Sequence, residues 1–188
     1  MVKREQAEEL FHKYNKSESL YHHALEVESI MKEAAERKGE DVEYWSVVGF
    51  LHDIDWEMFP EIHCKKAPDL LKEIDMPDDQ IHAIVCHGYG LCVDVKPERY
   101  MEKLLFTVDE LSGLIHATAL MRPEKMKGMT VKSVKKKWKD KAFAAGVNRQ
   151  VVLDGIAMLG DTTLEEIIQL SIDGMTKAAP RTGIWPEA

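Results

Sequence analysis

Cysteine is scarce in this sequence, which has three in 188 residues: Cys64, Cys86 and Cys92. An odd number without paired spacing supports neither a disulfide framework nor a cysteine-rich zinc site. We therefore expect three reduced thiols that behave as small buried apolar side chains.

Long apolar runs are also missing. The chain starts with Met-Val-Lys-Arg-Glu-Gln-Ala-Glu-Glu-Leu, which lacks the apolar centre of a signal peptide, and no later run has the length that spans a bilayer. These absences predict a cytoplasmic protein that does not associate with membranes.

Positive charge is in deficit over the whole chain but not in one segment. The net charge is −8, which argues against a general binder of nucleic acid or of anionic membranes. Residues 121–149 are the exception, because ten Lys and Arg stand there against only Glu124 and Asp140. That segment carries +8, and the remainder of the chain carries −16.

Helical periodicity dominates what is present, and 188 residues are enough for one domain with a sizeable core. Ser17, Asp41, Asn148 and Asp161 are placed to cap helices, Gly39 to end the helix that Ser17 caps, and Pro97 to open one. We expect a basic helix from about residue 131 to a stop at Gly146. Residues 91–95 alternate weakly and favour a loop over a strand. The pattern predicts an all-α protein with a single domain over residues 1–188.

Four polar residues stand in apolar surroundings on these predicted helices. His23 lies in the apolar stripe of the helix that Ser17 caps, and the pair His52-Asp53 ends the apolar run 47–51. Asp109 lies in mid-helix beside Leu105 and Val108, where aspartate is otherwise unfavourable. A buried carboxylate requires a cation or hydrogen bonds in place of water, so a divalent ion is one interpretation. An ion pair or a hydrogen bond at a helix end is the alternative for the His-Asp pair.

The ordered set His23, His52-Asp53 and Asp109 resembles the HD-domain superfamily of metal-dependent phosphohydrolases, an all-helical fold named after its His-Asp pair. The motif Leu-His-Asp-Ile-Asp-Trp-Glu at 51–57 and Asp-Glu-Leu-Ser-Gly at 109–113 are similar to those of a bacterial subgroup of predicted HD hydrolases. The resemblance covers roughly residues 17–122 and implies a metal-site core there, with the basic helix and C-terminal helices in 123–188. Many HD enzymes have Gly-Lys where this chain has Asp55-Trp56.

The resemblance implies a set of metal ligands and a reaction. His23, His52, Asp53 and Asp109 would hold one divalent ion, and His63 and His87, which occupy places comparable to the extra ligands of dinuclear members, would hold a second that Asp53 bridges. Histidine and carboxylate suit Mn, Fe, Ni or Zn, with Mg possible, at one or two ions per chain. We expect a phosphomonoesterase or phosphodiesterase that uses metal-activated water on a nucleotide or another small phosphorylated metabolite.

Beyond the ligands, two further groups of residues enter the prediction. Asp53 is the predicted catalytic ligand, and Asp55 or Glu57 is a candidate acid or base, although carboxylates just after a helix end are usually solvated. Arg122, Lys135 and Lys136 are candidates for a phosphate-attracting rim, although lysines at helical spacing are more often a solvated helix face.

Two alternatives keep the same residues and change the function. HD-type di-iron sites also occur in oxygenases, and a non-catalytic module would use the ion or a bound nucleotide for structure or signalling. Dependence on dioxygen distinguishes the first alternative, and loss of folding rather than turnover when Asp109 is removed distinguishes the second.

Overall fold

The computed structural model describes residues 2–187, and these form an all-α structure, as predicted. No β-strand occurs within this range; an isolated bridge joins Tyr89 and Val93. The α-helices are α1 (Arg4–Tyr14), α2 (Glu18–Lys38), α3 (Val42–Leu51), α4 (Ala67–Leu71), α5 (Asp78–Val85), α6 (Tyr100–Leu120), α7 (Val131–Lys139), α8 (Arg149–Leu159) and α9 (Leu164–Ala178). Short 3₁₀ turns occupy Pro60–Ile62, Lys72–Ile74, Cys86–Gly88 and Ala179–Arg181.

Helix α2 lies at the centre of the bundle and packs against α3, α6 and α9. Helix α6, of the same length, also packs against α7 and α8. One cluster of buried apolar side chains runs from Val2 to Ile184 and includes side chains from every α-helix. We therefore propose that the chain forms one domain, in which the C-terminal helices complete the core around the metal-site region. None of the helices in residues 2–187 combines the length and apolar character needed to cross a membrane.

Several helix ends lie where the sequence predicts them. The Ser17 side chain accepts the Leu20 N–H, that of Asp41 accepts the Tyr44 N–H, and that of Asn148 accepts the N–H groups at the start of α8. Gly39 ends α2 in the left-handed conformation, with φ of 70°. These caps fix both ends of α2, which carries His23, and the start of α3, which carries the His-Asp pair at its other end.

Two other helices begin later than the sequence suggested. Helix α6 starts at Tyr100 rather than at Pro97, because the Glu102 side chain accepts the N–H groups of residues 98 and 99 and so caps the helix there. Helix α9 starts after Thr163 rather than after Asp161, since Thr163 and Glu166 form a reciprocal capping box.

The basic helix α7 ends at Lys139 instead of Gly146. The physical reason is Arg149, whose guanidinium donates hydrogen bonds to the carbonyls of Trp138, Asp140 and Phe143 and so holds residues 140–146 in turns. An arginine that satisfies several carbonyls replaces the last turns of the expected helix.

A glycine permits the close crossing of α2 and α9. A Cβ atom added at Gly174 would lie 2.6 Å from the Ile30 Cα and 2.9 Å from the Ser29 carbonyl oxygen. The Ser29 hydroxyl donates a hydrogen bond of 2.6 Å to the Gly174 carbonyl at the same crossing. The C-terminal helix therefore packs directly on the backbone of the helix that carries His23.

We predict that Gly174→Ala destabilises the fold by about 1 to 3 kcal/mol, because the added methyl group meets backbone atoms that cannot move away separately. Chemical denaturation of the purified protein measures this free energy of unfolding. Gly146→Ala is the matched control, since nothing lies near its added Cβ. Equal stability of the two variants would contradict the close crossing.

Candidate metal centre

Six predicted ligands come together from five places in the chain. Helix α2 carries His23, the end of α3 carries His52 and Asp53, and α6 carries Asp109. The remaining two ligands are associated with short 3₁₀ turns. His63 comes directly after the turn at 60–62, and His87 lies within the turn at 86–88. The structure places all six side chains in two adjoining clusters.

The first cluster consists of His23, His52 and Asp109. The His23 Nε2 atom lies 3.0 Å from the His52 Nε2 and 3.0 Å from the Asp109 Oδ1, and the His52 Nε2 lies 3.3 Å from the same oxygen. Three ligand atoms from three helices therefore converge on one point.

The second cluster consists of His63 and His87, and Asp53 joins it to the first. The two Nε2 atoms of His63 and His87 lie 3.2 Å apart, and each is 3.5 Å from the Asp53 Oδ1. The other oxygen of Asp53, Oδ2, lies 3.7 Å from the His23 Nε2 and 3.6 Å from the His52 Nε2. Each carboxylate oxygen of Asp53 thus faces one cluster, as in a carboxylate that bridges two ions.

The contacts of the Nδ1 atoms show which ring nitrogen of each of the four histidines is free to bind a metal ion. Carbonyl oxygens accept from two of them: the His52 Nδ1 donates to Gly49 at 2.8 Å, and the His87 Nδ1 to Ile84 at 2.5 Å. The His63 Nδ1 donates to the Asp55 carboxylate, and the His23 Nδ1 lies 3.3 Å from the Ser112 hydroxyl. In the neutral imidazoles a proton on Nδ1 leaves the Nε2 lone pair directed into the cluster.

The separations fit ligands of a first-row divalent ion. Ligand atoms about 2.0 to 2.2 Å from a common ion are about 2.8 to 3.6 Å from their neighbours in octahedral or tetrahedral geometry. The separations within each cluster lie between 3.0 and 3.5 Å, and those from the Asp53 Oδ2 are slightly longer. Two Nε2 lone pairs at 3.0 Å also repel each other unless a cation or a proton lies between them. The nitrogen and oxygen donors therefore suit a transition metal.

The electrostatics of the cluster also call for positive charge. Burial alone would lower the pKa of His23, but the hydrogen bond and charge of Asp109 outweigh it and raise the pKa to about 9. Burial likewise opposes protonation of His63, and the hydrogen bond to Asp55 raises its pKa to about 9. Burial would raise the pKa of Asp53 and of Asp109, yet the neighbouring histidines lower both. In the metal-free protein, protons on His23 and His63 offset the charge of the carboxylates.

Asp55 does not occupy the position expected of a catalytic acid or base. It is fully buried, its Oδ1 accepts from the His63 Nδ1 at 2.8 Å, and its Oδ2 accepts from the Ala67 N–H at 2.8 Å. Both oxygens are occupied, so Asp55 orients His63 instead of facing a substrate. The sequence predicted that Asp55 is a solvated or a catalytic carboxylate; instead it is buried and bonded within the protein.

The predicted basic rim is also separated from the metal ligands. The Arg122 guanidinium donates to the carbonyls of Lys127 and Gly128 and closes the loop after α6. Lys135 and Lys136 line a groove on α7 that shares no lining residue with the cleft beside His23. The structure therefore gives no support to these three residues as the phosphate rim of the metal site.

An open cleft gives access to the clusters. It has a volume of about 600 Å³, within the range of small-molecule sites, and its lining includes His23 and Asp53. Trp56, 49% exposed, stands at the cleft with its ring edge-to-face against His63 at 4.8 Å. The other lining residues are Ser17, Ser19, Leu20, Glu57 and Pro60.

Some residues of the site were not predicted from the sequence. Ser112 supports His23. Glu57 was expected only as a candidate acid or base; its carboxylate accepts the N–H groups of Lys16 and Ser17 and so fixes the start of α2 beside the cleft. Cys64 is buried with its Sγ 3.8 Å from the His87 Nε2, and in residues 2–187 the three cysteines are free thiols. The hydrogen bonds from His52 and His87 to the backbone carbonyls of Gly49 and Ile84 could not be predicted, because a backbone acceptor leaves no mark in the residue types of the sequence.

A comparison with known families agrees with this geometry. Residues 20–108 match the family model of the HD domain, and the HD-domain superfamily comprises metal-dependent phosphohydrolases. The matched range contains five of the six ligand candidates and ends one residue before Asp109. No curated protein and no solved structure matches the chain. HD domains bind divalent metals, and the two clusters have the composition for such ions.

Asp55→Asn should weaken binding of one ion by about 10- to 100-fold, because the amide cannot accept both hydrogen bonds and His63 loses its fixed orientation. Metal titration followed by calorimetry measures the affinity and stoichiometry. Asp69→Asn, an exposed carboxylate in the same region, is the control. Two full-affinity sites in Asp55→Asn would contradict the orienting role.

As pH rises, the metal-free fold should lose stability, whereas the stability that bound metal adds should grow. The raised pKa values of His23 and His63 stabilise the metal-free fold below their unfolded value of about 6.5, and this contribution is lost as pH rises towards about 9. The same protons compete with metal for Nε2. Thermal unfolding with and without Mn²⁺ should show a stabilising increment that grows from about pH 6.5 to about pH 8.5. A constant increment would contradict competition at these histidines.

Proposed function

We propose that the protein is a metal-dependent phosphoesterase that acts on small phosphorylated metabolites, nucleotides among them. In this proposal His23, His52, Asp53 and Asp109 hold one divalent transition-metal ion, and Asp53, His63 and His87 hold a second. The observation that carries the proposal is the position of Asp53, whose two oxygens face two separate clusters of ligand atoms.

Ions held in this way supply Lewis-acid activation of water and of a phosphoryl oxygen. The residues of the chain supply the geometry. Asp53 keeps the two clusters together, and Asp55 and the carbonyls of Gly49 and Ile84 hold three imidazoles in a fixed orientation. A rigid ligand set of this kind lowers the cost of arranging the reacting groups.

The charge of the cleft limits the kind of substrate. Asp53 and Glu57 line it, and neither lysine nor arginine does. No lysine or arginine would balance the charge of a phosphate group in this cleft, so the ions that the two clusters would hold would have to balance it. The hydroxyls of Ser17 and Ser19 lie at the start of α2 in the cleft, where they are 3.1 Å apart and that of Ser17 also accepts the Leu20 N–H. Trp56 provides an apolar wall for the remainder of the substrate. This arrangement favours one phosphate with a compact organic group over a chain of several phosphates.

The two alternatives use the same ligands. A di-iron oxygenase would also bind two ions on these residues, and a non-catalytic module would bind metal or nucleotide without turnover. The match of residues 20–108 to the family model of a superfamily of phosphohydrolases favours hydrolysis.

Asp109→Asn should lower kcat/KM for phosphoester hydrolysis by at least about 100-fold while leaving the fold intact, because it removes one charged ligand of the first cluster. The assay measures phosphate or phenolate release from nucleoside monophosphates and from nitrophenyl mono- and diesters, with protein loaded separately with Mn²⁺, Ni²⁺, Zn²⁺, Fe²⁺ or Mg²⁺.

The matched control is Glu124→Gln, an exposed carboxylate in the loop after α6. Equal rates in air and under argon exclude an oxygenase as the source of the product. Failure of every metal and every ester to give turnover, with both ions bound, would favour the non-catalytic module. Collapse of the fold in Asp109→Asn would favour a structural ion.

A further inference from the structure

The basic segment that the metal centre does not use forms a groove of its own. Helix α7 and the start of α9 enclose about 700 Å³, a volume comparable to that of the cleft at the metal clusters. We call it the lysine groove; its polar lining consists of Lys132, Ser133, Lys135, Lys136, Lys139 and Glu165.

The lysine groove has a surplus of positive charge that the protein itself does not neutralise. Glu165 is the one acidic residue in the lining, and it forms an ion pair with Lys135. Within residues 2–187, Lys132, Lys136 and Lys139 have no ion-pair partner. The lining therefore carries a net charge of +3 in a chain whose total is −8.

The spacing of the lysines makes this arrangement unfavourable without a ligand. Lys132 and Lys136 are four residues apart, as are Lys135 and Lys139, so like charges lie next to each other on a helix of nine residues. A bound anion would remove this repulsion.

The groove is distinct from the metal centre. Helices α7 and α9 contribute none of the six ligand candidates, and the groove and the cleft share no lining residue. An anion in the groove is therefore not the phosphate that reaches the metal clusters.

We propose that the lysine groove binds a small polyanion with two or three linked phosphate groups, at a site separate from the proposed phosphoesterase centre. Lys132 and Lys139 are seven residues apart, so the row of lysines extends about 10 Å along the helix. A short phosphate chain matches this row, since each ammonium group contacts phosphate as a point charge. Glu165, in the first turn of α9, lines the other side of the groove. The N-terminal end of a helix carries a partial positive charge, which also favours an anion.

The charge elsewhere on the chain favours a short ligand over an extended one. Residues outside 121–149 carry −16. A long nucleic acid or an anionic bilayer would extend beyond the groove and approach this acidic surface, whereas charges further away than about 8 to 10 Å are screened from a ligand confined to the groove.

The test is calorimetric titration of sodium tripolyphosphate into the full-length protein, with orthophosphate as a second probe. Asp53→Asn is titrated in parallel so that binding at the metal clusters is recognised separately. The triple variant Lys132→Gln, Lys136→Gln, Lys139→Gln removes the row. The triple variant Lys65→Gln, Lys72→Gln, Lys96→Gln removes the same charge from exposed lysines outside the segment.

Tripolyphosphate should bind the wild type and Asp53→Asn equally well, and both more tightly than orthophosphate. The groove variant should lose at least about tenfold in affinity, the control variant should keep it, and Glu165→Gln should bind more tightly. The groove variant should unfold at the same temperature as wild type or higher, since its repulsion is gone, so weaker binding cannot be assigned to misfolding.

Equal affinity in the groove and control variants would overturn the proposal, as would binding that disappears in Asp53→Asn. A 20-nucleotide single strand that binds more tightly than tripolyphosphate through the same lysines would replace the small ligand with a nucleic acid. None of these results depends on phosphoester turnover, so failure of the groove and failure of the proposed function are distinguishable.

Discussion

The structure depends on how one half-buried carboxylate, Asp53, is accommodated. It lies between four imidazoles, and its two oxygens face different pairs of them. A carboxylate in this position is stable only with positive charge on both sides, supplied by protons or by metal ions. The end of α3 carries Asp53 into the core, and α2 and α6 pack around it because each must bring a partner, His23 or Asp109, to the same point.

The orientation of the histidines comes mainly from the ends of helices. The final turn of α3 supplies the Gly49 carbonyl to His52, and the final turn of α5 supplies the Ile84 carbonyl to His87. Carbonyls at helix ends lack partners within the helix and are free to accept these bonds. His63, which comes from a loop, has Asp55 instead. The loop ligand thus depends on a side chain, and the helix-end ligands depend on the backbone.

Much of this arrangement could be predicted from the sequence, because it rests on periodicity and caps. The apolar stripes placed His23 and Asp109 inward, and Ser17, Asp41 and Gly39 marked the helix ends. The positions of Asp55 and Arg149 could not be predicted, since each satisfies groups that become neighbours only after folding. For the same reason the lysines of α7 gave a correct count of charge but no indication that they face away from the cleft.

The central claim is that Asp53 bridges two ions. Crystals grown with Mn²⁺ and measured for anomalous scattering test it most directly, because each ion gives its own peak. We predict two peaks, each about 2.0 to 2.2 Å from a different oxygen of Asp53. The two peaks should be about 3.5 to 4 Å apart. A single peak at full metal occupancy, or two peaks of which one lies away from Asp53, would contradict the claim.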